Sequence, residues 1–257
     1  MFQSVFQSVF PTSIISLVPS QTELLHYLGL RDEVVGITKF CVHPPEWFQS
    51  KPRIGGTKTL NFEKIAALQP DLILGNKEEN ERAQIEELQR HYRVWISDVA
   101  NLPEALDMIG EVGQLTGKME QAQTLVKDIE TAFQTLSENT TKPRRAAYFI
   151  WRKPYMVAAS GTFIHDMMQR AGFENVFGHL QRYPEIGLDA LVDAAPEVIL
   201  LSSEPYPFAE KHMAAFREVC PQARIQIVDG EMFSWYGSRL LRAPAYFHQL
   251  QEMLKIA

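Results

Sequence analysis

The chain has 257 residues, of which 46% are hydrophobic and 22% charged, a length and composition suited to two lobes with apolar cores. Its formal net charge of −6 and pI near 5.7 argue against the basic face of a nucleic-acid binder. No apolar run approaches the ~20 residues that a membrane-spanning helix needs.

The opening MFQSVFQSVFPTS carries no Lys or Arg, and the first is Arg31. A secretory signal needs a positive start, a longer apolar run and a small-residue cleavage site, so the expectation is a cytoplasmic chain or one beginning near a mature terminus. Ile14–Val18 reads as a buried strand running into Pro19-Ser20 and a helix closing at Gly29, with Ser20 as N-cap and Glu23 three residues on. After a strand-like VVGIT comes the loop Thr38–Trp47, which gathers Phe40, Cys41 and His43. A Cys and a His two residues apart suit a soft metal, a bulky ligand or a satisfied loop histidine. Cys41 and Cys220 form no CxxC pair and are expected as free thiols. Gly55-Gly56-Thr57-Lys58 lacks phosphate-loop spacing; its glycines permit close backbone approach, and Lys58 suits an anionic ligand group.

Leu60–Glu78 and Ile186–Glu204 then align without a gap at an offset of 126 (186 − 60). Each copy reads as a short amphipathic helix, a proline stop, a buried strand and a polar loop. In the first copy that loop is Asn76–Asn80, with Lys77 among the candidate ligand contacts. VWISD (94–98) and IQIVD (225–229) extend the correspondence, and Tyr155–Ala159, followed by a helix closing at Gly172, is matched to Ile14–Val18. Between the copies, Lys118–Asn139 has no Gly or Pro and one apolar stripe, Met119, Ala122, Leu125, Val126, Ile129, Phe133 and Leu136. As one helix it spans about 33 Å and serves as a stiff connector, so closure on ligand is expected to be small. Lys142-Pro143-Arg144-Arg145 reads as a short solvated linker.

The expected fold class is α/β: two lobes, each a parallel sheet flanked by helices, joined by one long backbone helix. The expected boundaries are 12–117, 118–139 and 140–257. In parallel sheets ligands sit beyond the carboxyl ends of strands, which selects Phe40, Cys41, His43, Thr57, Lys58 and Lys77 in the first lobe. In the second it selects Trp151, Arg152, Trp235, Tyr236 and Arg239, aromatic and guanidinium groups suited to a large flat ligand with a carboxylate or phosphate. For Arg239 a surface salt bridge is the alternative.

Taken together, SLVPSQTELLHYLGL, GITKFCVHPPE, RIGGTKTLNFEKIAALQPDLILGNKEEN, the connecting helix, SGTFIHDMMQRAGFENVF and SSEPYPF resemble the cobalamin-binding branch of the class III, helical-backbone periplasmic binding proteins of ABC importers. The resemblance implies non-covalent capture of a metal chelate (cobalamin, haem or siderophore-like) in a cleft between lobes, without catalysis or a resident cofactor. It also implies a monomer outside the membrane that delivers its ligand to a permease, docking through one acidic residue on each lobe. The repeat pairs Glu78 with Glu204 for that role, with Glu79, Glu81 and Glu210 competing. Thr57 and Asn76 stand near positions where cobalamin-binding relatives carry tryptophans, leaving Phe40, Trp151, Trp235 and Tyr236 as aromatic partners. The alternative functions are a cytoplasmic chelate-handling enzyme or a ligand-sensing module; HExxH, GxSxG and GxGxxG are absent.

Overall fold

The strand Ile14–Ser16 (β1) is apolar on both faces and fully buried, which requires a paired strand on each side and a helix layer above and below. The computed structural model, which describes residues 10–138 and 142–255, supplies both. The chain divides into two units, Met1–Asp98 with Leu106–Val126 and Val99–Ala105 with Lys127–Ala257. The doubled FQSV, Asn139 and the last two residues lie outside the described residues.

In the first unit β1 is followed by α1 (Pro19–Tyr27), β2 (Val34–Ile37), α2 (Pro45–Ser50), a two-residue hairpin β3 (Gly55–Gly56) and β4 (Thr59–Leu60), α3 (Phe62–Leu68), β5 (Leu72–Asn76), α4 (Arg82–Gln89) and β6 (Val94–Ser97). The sheet order is β2-β1-β5-β6 with every pairing parallel. Ile15, Leu17, Ile54, Ile65, Ile73 and Leu88 form a core on one side, while the alternating Ile14, Leu72 and Leu74 are equally buried. Each such side chain contributes about 1.5–3 kcal/mol on leaving water.

The helices α5 (Leu102–Thr116) and α6 (Met119–Glu138) follow, and the division between units falls inside both. At 20 residues α6 is unbroken and about 30 Å long. Ala122, Leu125, Ile129 and Phe133 form its buried stripe, whereas Met119, placed in that stripe from sequence, is 38% exposed.

The second unit runs β7 (Arg144–Arg152), β8 (Tyr155–Val157), α7 (Phe163–Arg170), β9 (Phe173–Asn175), α8 (Leu188–Ala194), β10 (Val198–Ser202), α9 (Met213–Val219), β11 (Arg224–Val228), α10 (Glu231–Ser234) and α11 (Ala243–Lys255). β10 pairs in parallel with β7 and β11, β9 lies parallel to the start of β7, and β8 folds back antiparallel along its end. Phe149 and Phe216 meet at 4.8 Å in an edge-on packing that centres this core.

Two sequence expectations change here. The counterpart of β1 is β7, since β7 pairs with β10 as β1 pairs with β5; Tyr155–Ala159 supplies the hairpin strand β8 instead. Both segments are short and apolar, so patterning alone does not separate them. Arg144 and Arg145 are not linker: they open β7, Arg144 Nη1 donates to Leu254 O (2.8 Å) and Arg145 Nη2 to Ala194 O (2.7 Å). Each guanidinium therefore sits on the closing carbonyls of a helix, where the helix dipole favours a cation.

Candidate functional site

In both sheets the chain leaves a central strand for a neighbour on one side and later returns on the other. The reversals fall between β1 and β5 and between β7 and β10. Loops at the carboxyl ends of such strand pairs diverge and leave a binding crevice.

At the first reversal α1 begins directly after Val18, with Pro19 in its first turn and no side-chain cap, so Ser20 is not the N-cap. Ser20 and Gln21 are buried instead. Gln21 Nε2 donates to Gly75 O (3.0 Å) and Ser97 Oγ (2.8 Å), tying α1 to the ends of β5 and β6. The next loop separates residues that the sequence grouped. Phe40 is 50% exposed, His43 half-buried, and Cys41 fully buried with Sγ 3.1 Å from the hydroxyls of both Thr22 and Thr38. Burial pushes the Cys41 thiol up, with the two hydroxyls opposing. Cys41, expected at the ligand, has its sulfur held inside the unit. Lys39 Nζ stands 5.1 Å from the Phe40 ring centroid, a cation over an exposed aromatic face.

The β3–β4 hairpin brings Thr57 and Lys58 to the loop after β5. Lys58 Nζ donates to Glu78 O (2.8 Å), and Asn80 Nδ2 donates to Thr57 O (3.1 Å). Asn76 Oδ1 accepts from the amides of Glu78 and Glu79, while Asn76 N donates to Asn80 Oδ1 (2.8 Å). Lys77 is exposed and paired with Asp98. Thr57, Lys58, Lys77 and Glu78 are thus neighbours on one braced rim. Gly55 makes this hairpin possible: at φ +113, a Cβ there would lie 2.4 Å from Thr59 O.

In the second unit Trp235, Tyr236 and Arg239, expected at the ligand, are 6%, 5% and 6% exposed. Trp235 Nε1 donates to Glu204 Oε1 (2.9 Å), Ser234 Oγ donates to the same oxygen (2.6 Å), and Arg239 covers the Trp235 ring at 4.6 Å while pairing with Glu231. Burial raises the Glu204 carboxyl, Ser234 and Trp235 pull it down, and Glu231 and Asp229 add to the rise. Glu204 is therefore a half-buried carboxylate held by two hydrogen bonds. Tyr236 packs edge-on against Phe163 at 5.6 Å.

Trp151, at the end of β7, is 39% exposed, and Arg152 beside it is half-buried. Two residues that sequence reasoning missed stand behind this tryptophan. Tyr206 meets its ring edge-on at 5.7 Å, and His212 lies 3.3 Å from the Tyr206 hydroxyl through Nε2. SSEPYPF named the Tyr206 loop, but the chain offers no signal for a partner six residues on. Among the described residues no group of three His, Cys, Asp or Glu is arranged to hold a metal, and no helix is long and apolar enough to cross a membrane.

Residues 14–219 match the family model described as periplasmic binding protein. The vitamin B12-binding protein of Vibrio cholerae is 27% identical over 215 residues, spanning 82% of this chain and 77% of that protein. The uncharacterized ABC transporter substrate-binding lipoprotein YvrC of Bacillus subtilis is 25% identical over 244 residues, 90% of this chain and 77% of the other. The crystal structure of the periplasmic vitamin B12-binding protein BtuF of Vibrio cholerae shares the fold with TM-score 0.82 at 21% identity, covering 96% of this chain and 99% of that one. A periplasmic heme-binding protein from Pseudomonas aeruginosa gives TM-score 0.80 at 20% identity, covering 94% and 92%. With two α/β units built on largely parallel sheets, one unbroken helix divided between them and a family match over most of its length, the chain belongs to the periplasmic binding protein family.

Proposed function

We propose that this protein captures a metal chelate without covalent chemistry and delivers it to the permease of an ABC importer. The observation that carries the reading is a doubled one. Each unit presents an exposed aromatic at the carboxyl end of a sheet strand, Phe40 in the loop after β2, with Lys39 Nζ 5.1 Å from its ring, and Trp151 at the end of β7. A corrinoid or porphyrin offers flat apolar area with polar or anionic edges, which exposed rings and the Lys39 cation complement. The Vibrio relatives named for vitamin B12 favour a corrinoid as cargo, and the metal arrives already held by its own macrocycle. The protein acts as a monomer on the outer side of the cytoplasmic membrane, and its part is recognition, not turnover.

For docking to the permease, Glu81 and Glu210 fit better than Glu78 and Glu204. Both are exposed, and each precedes the helix that follows a repeated strand, Glu81 before α4 and Glu210 before α9. Exposed charges of this kind set orientation and encounter rate more than affinity.

Purified protein titrated with cyanocobalamin, cobinamide, hemin and a ferric hydroxamate, followed by tryptophan fluorescence, tests the reading. Saturable binding of at least one is expected, weakened about tenfold by Phe40→Ala and by Trp151→Ala, or ~1.4 kcal/mol each. Saturable binding that neither variant weakens rejects this placement of the site, and no binding of any of the four rejects chelate capture.

A further inference from the structure

We propose that Tyr206 positions the exposed indole of Trp151, and that His212, hydrogen-bonded to the Tyr206 hydroxyl and to the Ala209 amide, switches that positioning with pH. The inference rests on the capture reading for the role of Trp151, but its geometry is independent of any ligand.

Trp151 is held at two points. Its Nε1 donates to Lys153 O (3.2 Å), and its ring meets Tyr206 edge-on at 5.7 Å. Tyr206 is held in turn: its amide donates to Ile150 O (3.3 Å), its ring packs on Phe208 at 4.8 Å, and it lies against the His212 ring at 5.4 Å. An unbroken ladder of rings therefore runs from a buried imidazole to an exposed indole.

The backbone fixes the tautomer of that imidazole. Ala209 N stands 2.9 Å from His212 Nδ1, and an amide can only donate, so Nδ1 is the unprotonated nitrogen. The neutral ring carries its proton on Nε2, which donates to the Tyr206 hydroxyl at 3.3 Å. A second proton has to enter at Nδ1, where it turns an acceptor into a donor facing the Ala209 amide. Both donors cannot stay, and the turn Tyr206–Ala209 that carries the aromatic ladder must shift. The environment resists that proton: burial lowers the His212 basicity first, and the positive charges of Arg152 at the end of β7 and Lys211 alongside add to it. Among the described residues, Tyr206 is the titratable group stacked against the ring. The neutral arrangement thus holds through neutral pH and gives way on acidification below the ordinary histidine range near 6.5.

Loading the whole chain with 5-fluorotryptophan gives four fluorine resonances, for Trp47, Trp95, Trp151 and Trp235, and Trp151→Phe assigns the one needed. In the ligand-free protein the Trp151 resonance is expected to move in a single step as pH falls from 7.5 to 4.5. In His212→Gln it stays fixed, because the amide oxygen still accepts from Ala209 and the amide nitrogen still donates to Tyr206. Tyr206→Leu, which cuts the ladder, leaves the His212 proton signals titrating while the Trp151 resonance stops following them. A Trp151 resonance that ignores pH in the wild type, or that still titrates in His212→Gln, overturns the switch. Cyanocobalamin affinity measured at pH 7.5 and 5.0 is the second arm. A loss of at least fivefold in the wild type that His212→Gln abolishes supports the link to capture, and equal affinity at both pH values overturns that link. A pH-responsive Trp151 in a protein that binds no cyanocobalamin sustains the switch and removes the corrinoid reading alone.

Discussion

Gln69 and Ala195 stand 126 positions apart (195 − 69) and share the same left-handed backbone, φ 45° and φ 43°, each closing a seven-residue helix. Each amide donates to the carbonyl three residues back, Ala66 and Val192, and each is followed by a proline that cannot continue the helix. A side chain in this region costs about 1–2 kcal/mol that glycine avoids, partly offset by the ~0.5–1 kcal/mol of extra freedom glycine loses on folding. Gln69→Gly and Ala195→Gly are therefore expected to leave stability unchanged or raise it by up to about 1 kcal/mol. Ala195→Val is expected to lower it by more than 1 kcal/mol, because a branched Cβ fits a positive φ worst. Urea midpoints of the three variants check this, and a valine as well tolerated as glycine contradicts it.

The rim of the first unit depends on one buried amide. Asn80 is 5% exposed, its Oδ1 accepts from Asn76 N at 2.8 Å and its Nδ2 donates to Thr57 O at 3.1 Å. Asn80→Ala strands a buried amide and a carbonyl together, a loss of about 1–3 kcal/mol, whereas Asn80→Asp keeps the acceptor and loses only the second bond. The alanine variant is expected to speed hydrogen exchange at the Asn76 amide by at least tenfold with little change in the second unit. Unchanged exchange there means that the hairpin is held by other contacts.

Much of this architecture is legible in the chain, and the limits have physical causes. The gapless match of Leu60–Glu78 to Ile186–Glu204 places α3 and β5 over α8 and β10 because proline stops and fully buried strands are local signals. Gly29 and Gly172, expected as helix closers, adopt φ 79° and φ 83°. The site is less legible because proximity along the chain is not proximity in space. Cys41 and Phe40 are adjacent, yet one is wholly buried and the other half-open. Glu78 and Glu204 occupy equivalent repeat positions, yet only the second accepts from a tryptophan thirty-one residues later. Partners of that separation depend on how β10 and β11 align, which no periodicity encodes.

The two thiols offer a test of that distinction between sequence and space. Cys41 and Cys220 are both buried, and burial raises the pKa of each. A thiol must ionise to react, so both are expected to resist iodoacetamide at pH 7.5 and to label together only when the protein unfolds. Cys41→Ser should bind cyanocobalamin within threefold of the wild type. Rapid labelling of Cys41 in the native protein, suppressed by cyanocobalamin, restores it to the ligand site.

Glu204 gives a prediction whose sign is set by burial. Its carboxyl lies above the ordinary value of 4.5 because the site penalises the charge, with Glu231 and Asp229 adding repulsion against the hydrogen bonds of Ser234 and Trp235. A carboxyl raised on folding contributes most below its unfolded pKa, and that contribution is lost as pH rises through the folded value. At neutral pH the folded protein therefore carries an ionisation that the unfolded chain makes at lower cost. Glu204→Gln keeps the oxygen that accepts from Ser234 and Trp235 and removes the charge. The glutamine variant is expected to show the higher urea midpoint at pH 7.5, with the advantage shrinking as pH falls towards 4 and both states of the wild type become protonated. The Trp235 emission maximum should match the wild type throughout, since the indole keeps its acceptor. A glutamine variant less stable at pH 7.5 means that the charge itself holds the cluster, with Arg239, stacked on the same indole, the cation to substitute next.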